Sequence, residues 1–270
     1  MELETLSLTI EDGVAHVKLT RGEQLNTMTP QFWDDMIEAF ATIEGDPSVR
    51  AVVLSSTGRH FTAGLDLNSA NILQEKELDA ARQRYGFIKH LQHLQKAFNV
   101  IEECRVPVIA AVHGACIGGG VDMVCACDMR VAAEGSYFTI QEVNIGIVAD
   151  VGTLQRITYL LPEGVVRELT YTGRKFPADE AKGFGFVNQV APDHEAAVEA
   201  AFAMAREIAG KSPVAVAGCK TIINRGREMT VEEGLDYVGV WNAAFLQGDD
   251  MREAVTAQFE KRPPKFADIA

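Results

Sequence analysis

Residues 108–132 read VIAAVHGACIGGGVDMVCACDMRVA, and the architecture turns on them. The stretch begins as an unbroken apolar run, the pattern of a strand buried on both faces of a parallel sheet. It then meets Gly114 and the triple glycine 118–120, and continues as an apolar helix interrupted by one acid, Asp122. A strand, a glycine-marked loop and a short helix in that order recur upstream in VLSSTGRHFTAGLDL, residues 53–67. Two such turns side by side would bring unsatisfied backbone N–H groups from both toward one point, because the first turn of a helix leaves its N–H groups without internal partners.

Outward from these turns the chain reads as α/β. LSLTIEDGVAHVKL, residues 6–19, alternates at period two around Asp12-Gly13 and predicts a hairpin. TPQFWDDMIEAFATIE, residues 29–44, predicts a helix with Thr29 as cap, Pro30 at its first position and an apolar stripe from Phe32 to Ile43. AVVLSS (51–56) and VPVIAAVHG (106–114) predict buried parallel strands, and residues 77–103 a helix between them. After about residue 193 strands give way to helices over 196–209, 214–224, 231–246 and 251–260. We therefore divide the chain into a core, residues 1–195, and a helical region, residues 196–270.

Composition narrows the function. The 270 residues carry 25 Lys and Arg against 38 Asp and Glu, a net charge of −13 that disfavours nucleic acid and anionic membrane as partners. No apolar run approaches membrane-spanning length. The five cysteines have no zinc-like spacing and read as reduced, buried thiols. With no secretory pattern at the start and no peroxisomal Ser-Lys-Leu at the end, the expected setting is cytoplasmic.

Consecutive glycines let a ligand approach the main chain closely. Free N–H groups aimed at a carbonyl oxygen stabilise the charge that collects there when the neighbouring carbon loses a proton. An isolated triple glycine more often only permits tight helix–strand packing, and phosphate binding is disfavoured because GACIGGG lacks the G-x-G-x-x-G spacing. Acids shift the balance. Asp122, Glu142 in the apolar run YFTIQEVNIGIVADVG, and Asp150 at the end of that run are carboxyls whose neutral form burial would favour, as proton transfer near neutral pH requires. Taken singly, each has a structural reading: Asp122 beside a helix dipole, Glu142 paired with Arg130 or Arg156, Asp150 as a helix cap. His113 reads as a packed strand end, and no Ser-His-Asp set suggests a protease.

The blocks HFTAGLDL, VIAAVHGACIGGGVDMVCACDMRVA, QEVNIGIVADVGTLQRI and YTGRKFPADEAKGFGFVNQV resemble, in order and spacing, those of the crotonase, or enoyl-CoA hydratase/isomerase, superfamily. The resemblance runs from about residue 6 to residue 266. It implies a crotonase-like spiral of repeated ββα units with a C-terminal helical trimerisation region, assembled as a homo-trimer or as a homo-hexamer made of two trimers. It implies an acyl-CoA thioester as substrate, with CoA part of that substrate and no separate cofactor or metal. It also implies an enolate held by the N–H groups of Leu65 and Gly119, substrate contacts around Ala63, Gly64, Asp66 and Arg21, and tail contacts from Phe259 and Lys261 of a neighbouring subunit. The family's frequent proline after the arginine is Gly22 here.

Within the superfamily, hydratases carry glutamate at the positions of Asp122 and Glu142 and glycine at that of Asp150. An Asp, Glu, Asp set is similar to the Δ3,5-Δ2,4-dienoyl-CoA isomerases of fatty acid β-oxidation. The resemblance implies that Asp150 and Glu142 exchange protons with opposite ends of a diene, in an order the sequence does not fix. In this reading Asp122 is hydrogen-bonded to Glu142 and keeps it protonated. Rival readings are a 2-enoyl-CoA hydratase, a Δ3-Δ2-enoyl-CoA isomerase, and a non-catalytic acyl-CoA-binding or RNA-binding relative.

Overall fold

A computed structural model describes residues 1–68 and 79–269. The opening hairpin pairs β1 (Leu6–Glu11) with β2 (Val14–Leu19) in antiparallel register. Asp12 and Gly13 both take positive φ, 49° and 76°, as a two-residue turn matched to strand twist requires. In α1 (Pro30–Gly45), Phe32, Trp33, Met36, Ala39, Phe40 and Ile43 are buried as the stripe predicts. Thr29 does stand at the cap position, but its hydroxyl makes no capping bond; it is buried without a partner among the described residues, and Pro30 alone starts the helix.

β3 (Ala51–Ser56) lies parallel to β2, and β4 (Val108–Val112) parallel to β3. Beyond them come β5 (Ala115–Ile117), β6 (Met129–Ala133), β7 (Tyr137–Thr139), β8 (Phe176–Pro177) and β9 (Gln189–Ala191). One six-stranded sheet has the order β1-β2-β3-β4-β6-β9, and a three-stranded sheet has the order β5-β7-β8. The continuous apolar runs follow from burial on both faces. On one face Val52, Leu54, Val108, Ala110 and Val112 pack with α1 and with α2 (Ala80–Glu103); on the other Ala51, Val53, Ile109 and Ala111 meet Ala197, Ala201 and Ala205 of α7 (His194–Ala209). The predicted 77–103 helix is α2 from residue 80 onward, its first residues lying outside the described ones.

α3 (Gly119–Ala126) follows β5 directly, and the single-turn α4 (Thr153–Arg156), α5 (Glu163–Thr172) and α6 (Ala178–Gly183) complete the core. α7 begins at His194, two residues before the expected start, because Asp193 caps it by accepting the Ala196 N–H. Since α7 covers the second face of the sheet and starts before residue 196, the 195/196 division falls inside α7 and cuts through a packed unit. α8 (Pro213–Gly226), α9 (Val231–Phe245) and α10 (Asp249–Glu260) follow. α9 buries no residue within the chain although Val231, Leu235, Val240 and Phe245 stand on it. Four cysteines are buried as predicted; Cys219, on α8, is exposed instead. Among the described residues no helix is long and apolar enough to cross a membrane.

Candidate active site

The site forms where the chain leaves the C-terminal ends of the parallel strands β3 and β4. The two glycine turns are zipped together there by main-chain bonds: Phe61 N–H to His113 O at 2.8 Å, Thr62 N–H to Ala115 O at 3.1 Å, and Ile117 N–H to Thr62 O at 3.1 Å. Thr62, fully buried, fastens the first turn, its hydroxyl accepting from Gly64 N–H at 3.0 Å and donating to Asn26 O at 2.7 Å. Glycine is demanded at 64 twice over. Its φ is +85°, and a Cβ there would stand 2.7 Å from Ile117 O and 3.6 Å from Gly119 N.

Met28 closes the other side. Its N–H donates to Gly64 O, the Asp66 N–H donates to Met28 O, and its sulfur lies where a Cβ on Gly119 would go, at 2.8 Å. The chain thus passes Leu65 and Gly119 close to one another. Neither of their N–H groups has an acceptor among the described residues, while the N–H groups of Ala63, Gly64, Asp66 and Gly118 are all bonded.

The acids arrive from three elements. Asp122 sits in the first turn of α3, 0% exposed, and its Oδ1 accepts the Thr153 N–H at 2.6 Å, so it caps α4 across space. Burial pushes its carboxyl from 3.8 up to about 6, with the hydrogen bond from Thr153 opposing and the nearby Asp150 charge assisting. Glu142 opens a 3₁₀ turn, and its Oε1 stands 3.1 Å from the place a Cβ on Gly118 would occupy. Burial and then the charge of Asp122 push it up to about 7. Asp150 is also raised, by burial, but less enclosed: it is exposed at the mouth of the site, flanked by buried Ala149 and Val151.

Four readings are corrected. Asp122 and Glu142 are coupled by charge and not by a hydrogen bond: Asp122 Oδ1 is taken by Thr153, and Asp122 Oδ2 and Glu142 Oε2 are buried without partners among the described residues. The run around Glu142 is not core, because Val143, Ile145, Ile147 and Val148 are exposed beside the site. Glu142 pairs with neither arginine; Arg130 bonds the carbonyls of Val124, Cys127 and Phe186, and Arg156 bonds Glu102 and Asn99. Nor does Asp150 cap α4, since Gly152 holds that position.

Arg21 donates to Thr27 O at 2.7 Å and braces the loop in front of the first turn. Gly22 in place of proline is explained by contact: a Cβ there would lie 2.8 Å from the main chain of Gly58. Asp66 accepts from Thr27 Oγ1 and from Asn68 N–H. Phe259, 84% exposed, and Lys261 end α10 and do not reach the acids within one chain. The tail beyond them is tied to Arg50, just before the opposite end of β3. His113 is buried and stacked on His194 at 3.5 Å, as a packed strand end. Thr62, Met28 and Thr153 were not singled out in the sequence; only the position of Thr62 just before Ala63-Gly64 hinted at a role.

Residues 9–269 match the enoyl-CoA hydratase/isomerase family. The chain belongs to that family. It is 46% identical over 266 residues to the human mitochondrial Δ(3,5)-Δ(2,4)-dienoyl-CoA isomerase, an alignment covering 97% of this chain and 81% of that one. It is 40% identical over 270 residues to the peroxisomal Δ(3,5)-Δ(2,4)-dienoyl-CoA isomerase of Arabidopsis thaliana, covering 99% and 97%. Among solved structures, a putative enoyl-CoA hydratase from Streptomyces coelicolor A3(2) superposes with a TM-score of 0.90 at 29% identity, over 98% of this chain and 95% of that one. This family likeness bears out the crotonase-like fold. The expected cytoplasmic setting does not stand, because the relatives of this similarity are peroxisomal and mitochondrial.

Proposed function

We propose that the protein is a Δ3,5-Δ2,4-dienoyl-CoA isomerase. What supports the reading is three carboxyls raised by burial, Asp122, Glu142 and Asp150, with Glu142 set against the second glycine turn, and two turn N–H groups, of Leu65 and Gly119, that have no acceptor among the described residues. The thioester oxygen of a 3,5-dienoyl-CoA takes those two N–H groups. Asp150 removes a proton from C2, the electron pair moves toward the thioester oxygen and is stabilised there as an enolate, and the double bonds shift as Glu142 delivers a proton to C6. One proton leaves and one arrives, so no oxidant or separate cofactor is needed.

Each acid suits its part. A carboxyl at the exposed mouth is the more readily ionised base, and one raised to about 7 carries a proton to donate near neutral pH. Exposed Val143, Ile145, Ile147 and Val148 offer apolar surface to an acyl chain. Arg21, Ala63, Gly64 and Asp66 shape the approach to the oxyanion pair, with Phe259 and Lys261 supplied by a neighbouring subunit to the CoA. That subunit belongs to a homo-trimer or hexamer, a reading supported by the exposed apolar side chains of α9 and α10. The test is one preparation given a 3,5-dienoyl-CoA and a 2-enoyl-CoA. A growing 2,4-dienoyl absorbance with little hydration of the enoyl supports the isomerase; the reverse result refutes it.

A further inference from the structure

Helix α2 presents a polar stripe, Gln95, Asn99 and Glu102, spaced at four and three residues so that all three share one helix face. Every member reaches the segment that carries the third acid. Gln95 Nε2 donates to the main-chain carbonyl of Asp150 itself at 2.8 Å. Asn99 Oδ1 accepts from Arg156 at 2.7 Å, and Glu102 Oε2 accepts from Arg156 Nε at 2.7 Å. Arg156 then folds back over the turn: a Cβ on Gly152 would fall 1.9 Å from its guanidinium, and Gly152, at φ +132°, has none. Between these two anchors lies Thr153, whose N–H holds Asp122.

We infer that Arg156 and Gln95 are positioning residues that clamp the 150–156 turn onto α2 and thereby fix Asp150 relative to Asp122 and Glu142. The inference deepens the proposed function and rests on it for its kinetic part. Neither side chain bonds either of the other two acids, so they act through the turn. Asp150 needs such a clamp because it is the exposed acid of the three, with only its neighbours Ala149 and Val151 buried in the core. Glu102 also receives Arg227, after α8, through its other oxygen, and Asn224 of α8 donates to the Glu102 carbonyl at 3.2 Å, so the clamp reaches back to the helical region. The positive charge of Arg156 also acts on Asp122, lowering its proton affinity against the larger effect of burial.

The test uses the full chain with Arg156→Gln, Arg156→Lys and Gln95→Ala. Gln95→Ala places a good helix former at a partly exposed site and leaves the fold intact. In Arg156→Gln, kcat on a 3,5-dienoyl-CoA falls about 10- to 100-fold with KM within about twofold, as a misplaced acid without a lost binding contact requires. Gln95→Ala shifts kcat in the same direction by less, and Arg156→Lys, which keeps charge but loses the two-pronged grip, recovers only part. Independently of any substrate, infrared titration of the buried carboxyls shows their midpoint moved to higher pH in Arg156→Gln. An unmoved midpoint in Arg156→Gln, or a KM rise with kcat unchanged in either single variant, overturns the clamp. A wild-type chain inactive on the dienoyl substrate would instead refute the proposed function, while the titration still decides the clamp.

Discussion

Replacing Asp122 with Asn should make the protein more stable and less active, and the stability change should depend on pH. Burial raises this carboxyl from 3.8 to about 6. A carboxyl that binds its proton more tightly when folded weakens the fold as pH rises through that window; the cost is absent below 3.8 and complete above about 6. At roughly 1.4 kcal/mol per unit the shift corresponds to about 3 kcal/mol at high pH. Asn is nearly isosteric and its carbonyl oxygen can still accept the Thr153 N–H, so little else is lost. Asp122→Asn should therefore melt roughly 5–10 °C above the unmodified chain at pH 8 and close to it at pH 4. Calorimetry or circular dichroism at the two pH values checks this. A gain equal at both pH values, or a loss at pH 8, would refute the reasoning that Asp122 carries a buried charge.

The same substitution removes the charge that helps lift Glu142 to about 7, so the alkaline fall in kcat/KM, expected as pH rises through that region, should move to lower pH in Asp122→Asn; a pH–rate profile reads it. Glu142→Gln should lower kcat by about 10²- to 10⁴-fold with a small change in KM, measured by steady-state kinetics on the dienoyl substrate. Gly64→Ala should damage kcat/KM more than Gly119→Ala, because its Cβ would strike a main-chain carbonyl at positive φ whereas that of Gly119 meets the movable Met28 side chain; parallel kinetics and melting curves compare them. Thr62→Val should reduce kcat by freeing the Gly64 N–H while keeping side-chain volume, and a melting curve would separate this from general loss of fold.

The strands β1 to β4, the Asp12-Gly13 hairpin, α1 and the two glycine turns were legible because each is set by periodicity or by a conformation only glycine adopts readily, whereas the two- to five-residue strands β5 to β9 are too short to show a period. The three acids were legible as a group because each interrupts an apolar stretch. Long-range partners were not. The bond from Thr153 to Asp122 spans 31 residues and that from Gln95 to Asp150 spans 55, and local sequence carries no trace of either. Thr29 looked like a cap since capping residues are recognised by type, but its hydroxyl is buried away from the helix N–H groups. The apolar run at 143–148 was read as interior because period and hydropathy do not distinguish a core segment from one displayed beside a binding site. The compartment was misread because the cytoplasmic setting was inferred from two address patterns that are absent, a secretory start and a terminal Ser-Lys-Leu, and their absence does not single out the cytoplasm.

The placement of Asp122 bears on the choice between isomerase and hydratase more directly than its identity does. Hydration needs two carboxyls presenting oxygens to one water beside C3, and an acid wholly enclosed and held through one oxygen is poorly placed to do so. Here one Asp122 oxygen is taken by the start of α4 and the residue is wholly enclosed, so in the proposed reading what it contributes is a charge that adds to burial in keeping Glu142 protonated. Two carboxyls are left to meet a ligand: Glu142 over the glycine turn and Asp150 at the exposed mouth, on separate elements. Acids disposed in this way suit removing a proton at one end of a short unsaturated chain and returning one at the other. In a water-holding pair of the hydratase kind only Asp122 Oδ2 would be left to face the water, and it is enclosed with the rest of the side chain while Oδ1 stays on the turn that carries Asp150.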